Sequence, residues 1–272
     1  QQIKFERLVY NNLKNAMMMA FDKESKVSVM LQTEFKALLT DENINILYQP
    51  IVNLEDYSII GYEALVRGPQ NSLLNNPLIL FNTAYHSNKI WELERLIRKK
   101  IIEDYMTFDL KGKYISINVE PHSFADPEFR KFAEMNPYNL NYSNFVLEIT
   151  ERSHITDLTK FNEQLKLFKN CKFTIAIDNA GSGFASLYYI AEIKPDIIKL
   201  DISLIKNIDK NQQRRDIVKA LVQFANDNHI KVLAEGIERI EELTEIKKIG
   251  ICYGQGFYFA KPSRDLLTKV SL

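Results

Sequence analysis

Short apolar runs rich in β-branched residues alternate along most of the chain with segments whose apolar residues recur every three or four positions. The first pattern is typical of buried strands and the second of amphipathic helices. The predicted strands are Ile46–Asn53, Ile59–Arg67, Tyr114–Val119, Phe145–Thr150, Phe173–Asp178, Ile197–Asp201, Lys231–Glu235 and Gly256–Ala260. The predicted helices between them are Pro77–Tyr105, Leu158–Lys169, Arg214–Asn228 and Ile240–Lys248. Strands that alternate with helices in this way predict an α/β fold, a TIM-like (β/α)8 barrel.

The connection between the first two predicted strands is short. Only residues 54–58 separate them, whereas a parallel crossover needs about a dozen residues or more. An antiparallel hairpin needs only a few residues. We therefore expect an antiparallel first strand, with the barrel irregular at that point.

The N-terminal region lies outside this alternation. Helical spacing of apolar residues from Phe5 to Ala20, and again from Val27 to Leu39, predicts N-terminal helices that precede the barrel. We assign residues 1–43 to an N-terminal helical extension or linker and residues 44–272 to the barrel domain. The chain starts at Gln1 without an initiator methionine or a signal-peptide pattern, which indicates a piece of a longer protein.

The composition and charge of the chain limit which classes of partner it can bind and which cellular compartment we expect. The 35 basic residues equal the 35 acidic ones, so there is no basic field for a nucleic acid polymer. No apolar run approaches the roughly 18 residues of a membrane span. Cys171 and Cys252 are too few for a disulfide framework and indicate a reducing compartment. We expect the cytoplasm, or the cytoplasmic face of a membrane if a longer parent chain carries an anchor.

Acidic, amide and lysine side chains stand at the ends of six apolar runs. They are Glu63, Asn118, Glu148, Asp178, Lys199 with Asp201, and Glu235. In barrels of this type the active site lies at the C-terminal ends of the strands, where buried carboxylates need a compensating cation. Because hard cations such as Mg²⁺ and Mn²⁺ prefer oxygen ligands, the pattern predicts a metal site. The four histidines are scattered and show no zinc-type spacing.

Lys199 and the glycine-containing loop that follows Asp178 each allow two interpretations. A lysine beside carboxylates can orient a nucleophilic water, or it can form an ordinary ion pair, here with Asp196 or Asp201. Residues 180–184 can cradle a phosphate or form an ordinary turn between a strand and a helix.

An ordered series of motifs resembles the EAL family of phosphodiesterases, which open the bacterial second messenger cyclic di-GMP. The motifs are Gln49-Pro50-Ile51-Val52, Glu63-Ala64-Leu65, Asn118-Val119-Glu120-Pro121, Glu148-Ile149-Thr150-Glu151, Ile198-Lys199-Leu200-Asp201, Ala234-Glu235-Gly236-Ile237-Glu238 and Gly254-Gln255-Gly256. The resemblance extends over residues 44–265. A single Glu-Ala-Leu tripeptide is not specific to the family, but the family's motifs in the family's order are.

The resemblance implies a role for each of these residues. The residues implied in metal binding are Glu63, Asn118, Glu148 and Asp178 for a first ion, and Asp178, Asn179 and Glu235 for a second. The residues implied in catalysis are Glu63, Lys199, Asp201 and Glu235, with Lys199 orienting the attacking water. The residues implied in substrate positioning are Gln49, Arg67, Glu238 and Gln255, and Glu151 is implied as an anchor of the loop after Asp178. The resemblance further implies Mg²⁺ or Mn²⁺, a homodimer, and other signalling domains in a longer parent chain.

One position departs from the family pattern. The family's loop begins Asp-Asp-Phe-Gly, whereas this chain reads Asp178-Asn179-Ala180-Gly181. An amide oxygen can coordinate a hard cation but brings no negative charge, so we expect a weak second metal unless Asn179 is only a turn residue.

Three functions remain open from the sequence. The first is a weakened metal-dependent phosphodiesterase that yields the linear dinucleotide, which we favour. The second is a catalytically impaired sensor or regulatory module that binds cyclic di-GMP. The third is an unrelated aldolase that uses Lys199 as a Schiff base. The surrounding carboxylates disfavour the aldolase, because they oppose the low pKa that such a lysine needs.

Overall fold

The structure is a computed structural model that describes residues 27–150, 155, 157–180 and 186–270. The described chain divides into two compact units, residues 27–45 with 67–96, and the described residues of 46–66 with 97–270. The predicted helix from Phe5 to Ala20 lies outside the described residues. The predicted domain boundary at residue 43 remains a prediction.

The first unit contains helices α1 (27–40) and α2 (Pro77–His86). Asn76 caps α2, since its side chain accepts a hydrogen bond from the N–H of Leu78, and Pro77 occupies the favoured first turn. The prediction of one long helix over Pro77–Tyr105 is wrong, because α2 ends and α3 (Ile90–Thr107) begins anew. Asn88 causes the break: its φ of 53° lies in the left-handed region that asparagine tolerates and that ends helices.

The second unit contains a closed barrel whose strands neighbour each other in sequence order. The strands are β1 (Asn45–Asn53), β2 (Ile59–Arg67), β3 (Tyr114–Val119), β4 (Phe145–Ile149), β5 (Thr174–Ala180), β6 (Ile197–Leu200), β7 (Lys231–Ala234) and β8 (Tyr253–Gly254). From β2 to β8 each strand pairs in parallel with the next, while β1 pairs antiparallel with β8. The predicted α/β barrel with an antiparallel first strand is confirmed.

The prediction of the last strand is wrong. β8 is only Tyr253–Gly254, and residues 256–260 form a turn in which the N–H of Phe259 donates to the carbonyl of Gly256 at 3.1 Å. The backbone of Gly256 passes so close to Ile237 that a Cβ atom there would lie 2.1 Å from the carbonyl oxygen of Ile237. The aromatic residues that suggested a strand therefore belong to the turn, where Phe257 is 55% exposed.

Helices follow most of the strands. After α3 they are α4 (Pro127–Met135), α5 (Leu158–Asn170), α6 (Ser186–Ile193), α7 (Ile202–Ile205), α8 (Gln212–Asp227) and α9 (Ile240–Ile249). The short helices α4, α6 and α7 were not predicted, because they offer too few turns for a periodic pattern. Within the described part of the chain, no helix is long and apolar enough to cross a membrane.

An apolar layer fills the barrel beneath the predicted site. It consists of Ile51, Val146, Ala176, Ile197 and Leu233, with Ile60, Tyr114 and Tyr253 packed against them. Gly61 leaves room for Tyr114, since a Cβ atom at Gly61 would lie 2.7 Å from the tyrosine ring. Because side chains alternate along a strand, the residue two positions further along points to the same interior. The barrel thereby places Glu148, Asp178, Lys199 and Glu235 in the next layer, at the C-terminal ends of their strands.

Candidate active site

Lys199 lies at the centre of the polar layer, with a side chain that is only 1% exposed. Its Nζ atom is 2.7 Å from Glu148 Oε2, 2.8 Å from Glu235 Oε1, and 3.5 Å from both Glu63 Oε2 and Asp178 Oδ1. Each carboxylate comes from a different strand or from the loop after it. The acidic residues that the sequence places at strand ends therefore form a cluster around the buried ammonium group of Lys199.

The ordinary ion pair that the sequence allowed for Lys199 is not among the described contacts. Asp196 accepts a hydrogen bond from the N–H of Ile175 at 2.8 Å. Asp201 caps α7, where it accepts from the N–H of Ser203 at 2.8 Å. The role that the resemblance implies for Asp201 beside Lys199 remains a prediction.

The site carries more negative charge than Lys199 can neutralise. Burial, helped by the charges of Glu63 and Asp178 and opposed by Lys199, raises the pKa of Glu148 to about 8. Burial likewise raises the pKa of Glu235 well above its ordinary value, although Lys199 lowers it. Burial alone would lower the pKa of Lys199, but the surrounding carboxylates raise it, so the amine stays protonated. Additional positive charge would offset the repulsion among these carboxylates.

Amide and hydroxyl groups hold the carboxylates in place. Asn118 Nδ2 donates to Glu63 Oε1 at 3.0 Å, and Gln255 Nε2 donates to Glu63 Oε2 at 2.6 Å. Gln255 Nε2 also donates to Gln49 Oε1 at 3.0 Å, so the predicted residues Gln49, Glu63, Asn118 and Gln255 form one hydrogen-bonded group. Burial would raise the pKa of Glu63, but the charge of Lys199 and the hydrogen bonds from Asn118 and Gln255 bring it below its ordinary value.

Ser116 is a site residue that the sequence reading missed. It is fully buried, and its hydroxyl donates a short hydrogen bond to Glu148 Oε1. A signal was available, because Ser116 precedes Asn118 by two positions on the same strand and so shares its face.

The Asn179 side chain hydrogen-bonds to the neighbouring Asp178, and as an amide it brings no negative charge to the site. Its Nδ2 atom donates to Asp178 Oδ2 at 2.5 Å, and its φ of 57° is left-handed. The pairing of β5 with β6 also shifts register between Ile177 and Ala180, which accommodates this conformation. One oxygen of Asp178 is therefore engaged by an amide where the family pattern has a second carboxylate.

Two of the remaining predicted residues lie at or beyond the ends of strands. Arg67 is the last residue of β2 and is half-buried, and Glu238 is exposed in the loop after β7. Glu151 lies outside the described residues.

The side chains around Lys199 have the donor chemistry of a hard-cation site. Their ligating atoms are carboxylate and amide oxygens, which Mg²⁺ and Mn²⁺ prefer, and their summed charge is negative. Across the described ranges, no group of three acidic, histidine or cysteine side chains is arranged to hold a metal ion, and the Lys199 ammonium lies within 3.5 Å of all four carboxylates. The residues fit a divalent cation in chemistry and charge.

Comparison with known proteins gives a consistent result. The family described as "EAL domain" matches residues 31–262. The cyclic di-GMP phosphodiesterase PdeA of Borreliella burgdorferi is 33% identical over 187 residues, which make up 67% of this chain and 28% of PdeA. The chain spans 28% and 45% of the length of PdeA and of the probable cyclic di-GMP phosphodiesterase PdeB of Escherichia coli.

Two of the solved structures that resemble this chain are EAL proteins. An EAL domain protein from Listeria monocytogenes EGD-e has a TM-score of 0.77 at 28% identity, covering 85% of this chain and 93% of that chain. A standalone versatile EAL protein from Vibrio cholerae O395, solved with cyclic di-GMP bound, has a TM-score of 0.74 at 30% identity, covering 84% and 96%.

Proposed function

This chain belongs to the EAL domain family, and on that premise we propose that it hydrolyses cyclic di-GMP to the linear dinucleotide with divalent metal ions. The observation that supports the proposal most is the buried Lys199 ammonium held among four carboxylates at the strand ends. Relatives named as cyclic di-GMP phosphodiesterases share the family and support the substrate.

The donor set suggests how the metal ions are held. Glu63, Asn118, Glu148 and Asp178 would hold a first ion, and Asp178, Asn179 and Glu235 a second. Bound Mg²⁺ or Mn²⁺ would supply Lewis-acid stabilisation of the charge that develops on the phosphate oxygens. The raised pKa values of Glu148 and Glu235 are consistent with this assignment, because a cation would allow both groups to ionise.

The chain's own groups would orient the reactants. Lys199 Nζ would donate a hydrogen bond to a water molecule, whose oxygen bonds to phosphorus as the bond from phosphorus to the ribose oxygen breaks. The proton that this water gives up would pass through solvent to the leaving ribose oxygen. Glu235 is the most open of the four carboxylates at 18% exposure and would face the water, while Asp201 would act only at the edge of the site. Gln49, Gln255 and Glu238 would position the substrate and neighbouring groups, and the Arg67 guanidinium would pair with a phosphate.

The second candidate function is a sensor or regulatory module that binds cyclic di-GMP without cutting it. The hydrogen bond from Asn179 to Asp178 favours it, since it withholds both a charge and an oxygen from the second ion. A metal site with one strong ion could bind the dinucleotide yet stabilise only part of the charge that develops during cleavage.

The assembly and location that we propose rest on the family alone. We propose a homodimer, further signalling domains in a longer parent chain, the Glu151 loop anchor, and a cytoplasmic location.

Binding and cleavage measured side by side separate the two functions. Cyclic di-GMP is added with Mn²⁺ to the chain and to Glu235→Gln, binding is measured by calorimetry, and products are resolved by liquid chromatography. The enzyme predicts linear product from the native chain and none from the variant, with binding retained in both. Binding without product in the native chain would establish the sensor.

A further inference from the structure

The loop that carries Glu235 is fixed on two sides by close backbone contacts. At Gly236, with φ of 67°, an added Cβ atom would lie 2.3 Å from the Ile202 side chain of α7. The N–H of Ile237 donates to the carbonyl of Gln255 at 3.1 Å, and the N–H of Tyr258 donates to the carbonyl of Ile237 at 2.9 Å. The loop thereby connects two residues of the site, Glu235 and Gln255.

A buried glutamate on α9 fixes the same loop from its far end. Glu242 has a side chain that is 2% exposed, and its Oε2 atom accepts from the N–H of Glu238 at 3.1 Å and of Arg239 at 3.2 Å. Its Oε1 atom accepts from the N–H of Asn207 at 2.8 Å, in the segment that follows α7. One carboxylate therefore joins the loop after β7 to the segment after β6.

The charge of Glu242 is compensated within this cluster. Burial would raise its pKa, but the N–H groups of Asn207 and Glu238, together with Arg239, bring it below its ordinary value. Arg239 Nη2 lies 3.3 Å from Glu242 Oε1 and 2.5 Å from Asp209 Oδ1. An ionised acceptor that takes three N–H groups cannot be replaced by a neutral side chain without leaving buried donors unpaired.

We propose that Glu242 is a positioning residue, which holds the Glu235–Arg239 loop so that the Glu235 carboxylate stays at the Lys199 cluster. The inference rests on the proposed function of that site. Glu242 acts through the backbone and contacts neither substrate nor metal. Residues that orient the ligands of a metal site typically affect metal affinity or activity by about 10- to 100-fold.

Glu242→Gln keeps the shape of the side chain but removes its charge and one acceptor. The matched control is Glu241→Gln on the same helix, where the side chain is 57% exposed and lies 3.3 Å from the Arg239 guanidinium, so the control tests loss of a neighbouring charge alone. In each variant we would measure Mn²⁺ affinity by calorimetry, exchange of the Asn207, Glu238 and Arg239 amides by NMR, and kcat and KM for cyclic di-GMP.

The proposal predicts faster exchange of those amides and roughly tenfold weaker Mn²⁺ binding in Glu242→Gln, with neither change in Glu241→Gln. A lower Tm with unchanged Mn²⁺ affinity would overturn it, because Glu242 would then serve the fold alone. If Glu242→Gln does not fold, Glu242→Asp keeps the charge but cannot reach both segments, and the same predictions apply. A native chain that binds Mn²⁺ without turnover would overturn the proposed function, while the Mn²⁺ affinities would still decide the role of Glu242.

Discussion

Asn179→Asp restores the carboxylate of the family pattern. The change should destabilise the metal-free protein and raise its affinity for Mn²⁺. The change replaces the 2.5 Å hydrogen bond to Asp178 Oδ2 with two facing carboxylates. The lost hydrogen bond costs about 1 kcal/mol. Two like charges about 4 Å apart repel by about 1 kcal/mol in water and about 4 kcal/mol at an effective dielectric constant near 20. Because Asn179 is half-buried, we expect the lower end, a total loss near 2 kcal/mol.

A bound cation should turn the destabilising effect of Asn179→Asp into a stabilising one. With Mn²⁺ between them, the two carboxylates attract the same ion, and a tenfold gain in affinity corresponds to about 1.4 kcal/mol. The assay is urea unfolding in the presence of chelator, followed by Mn²⁺ titration. The control is Asn179→Ala, which removes the hydrogen bond without adding charge. For the metal response, each variant is compared with itself across Mn²⁺ concentrations, so backbone strain at the left-handed position cancels.

Two results would refute this reasoning. The first is an Asn179→Asp protein that is as stable as the native chain when metal is absent. The second is an Mn²⁺ affinity of Asn179→Asp that does not exceed that of Asn179→Ala. Either would mean that position 179 does not face the second ion.

The remaining predictions concern the site, its supports and the barrel. Glu63→Ala should abolish metal-dependent turnover while the melting curve stays cooperative, and full activity in that variant would show that the site is misplaced. Ser116→Ala should lower turnover and destabilise the fold by about 1 kcal/mol, because Glu148 loses a buried donor; unchanged kinetics and stability would remove Ser116 from the site. Gly61→Ala should cost about 1 to 3 kcal/mol in urea unfolding, since the methyl group collides with Tyr114, and a neutral result would contradict the packing of the apolar layer. Because the pKa of Glu242 is lowered by folding, the stability advantage of the native chain over Glu242→Gln should be full above the ordinary value of 4.5 and shrink as pH falls below it. An advantage that does not change with pH would show that the charge of Glu242 is not what stabilises its contacts.

Much of the barrel can be predicted from the sequence, because buried parallel strands are continuous apolar runs. β2 and β3 have the predicted bounds, and the short link before β2 predicted the antiparallel β1. The errors arise where tertiary contacts decide the backbone. The left-handed Asn88 divides a segment with continuous helical periodicity, and the contact of Gly256 with Ile237 turns a run that reads as a strand.

The candidate site was predictable in composition but not in its connections. Strand-end positions identified the acids around Lys199, since alternation places them on one interior. Sequence could not show that Lys199 would pair with four distant carboxylates instead of nearby Asp196 or Asp201, because those contacts depend on barrel closure. It also gave no sign of Glu242, whose partners are backbone N–H groups.

The most direct test of the central claim is turnover of cyclic di-GMP by the purified chain with chelator, then Mg²⁺, then Mn²⁺, with the linear dinucleotide resolved by chromatography. We predict no product with chelator and linear dinucleotide with metal. We expect more product with Mn²⁺ than with Mg²⁺ if Asn179 weakens binding of the second ion. Absence of the linear product in both metals, from protein that binds cyclic di-GMP, would contradict it.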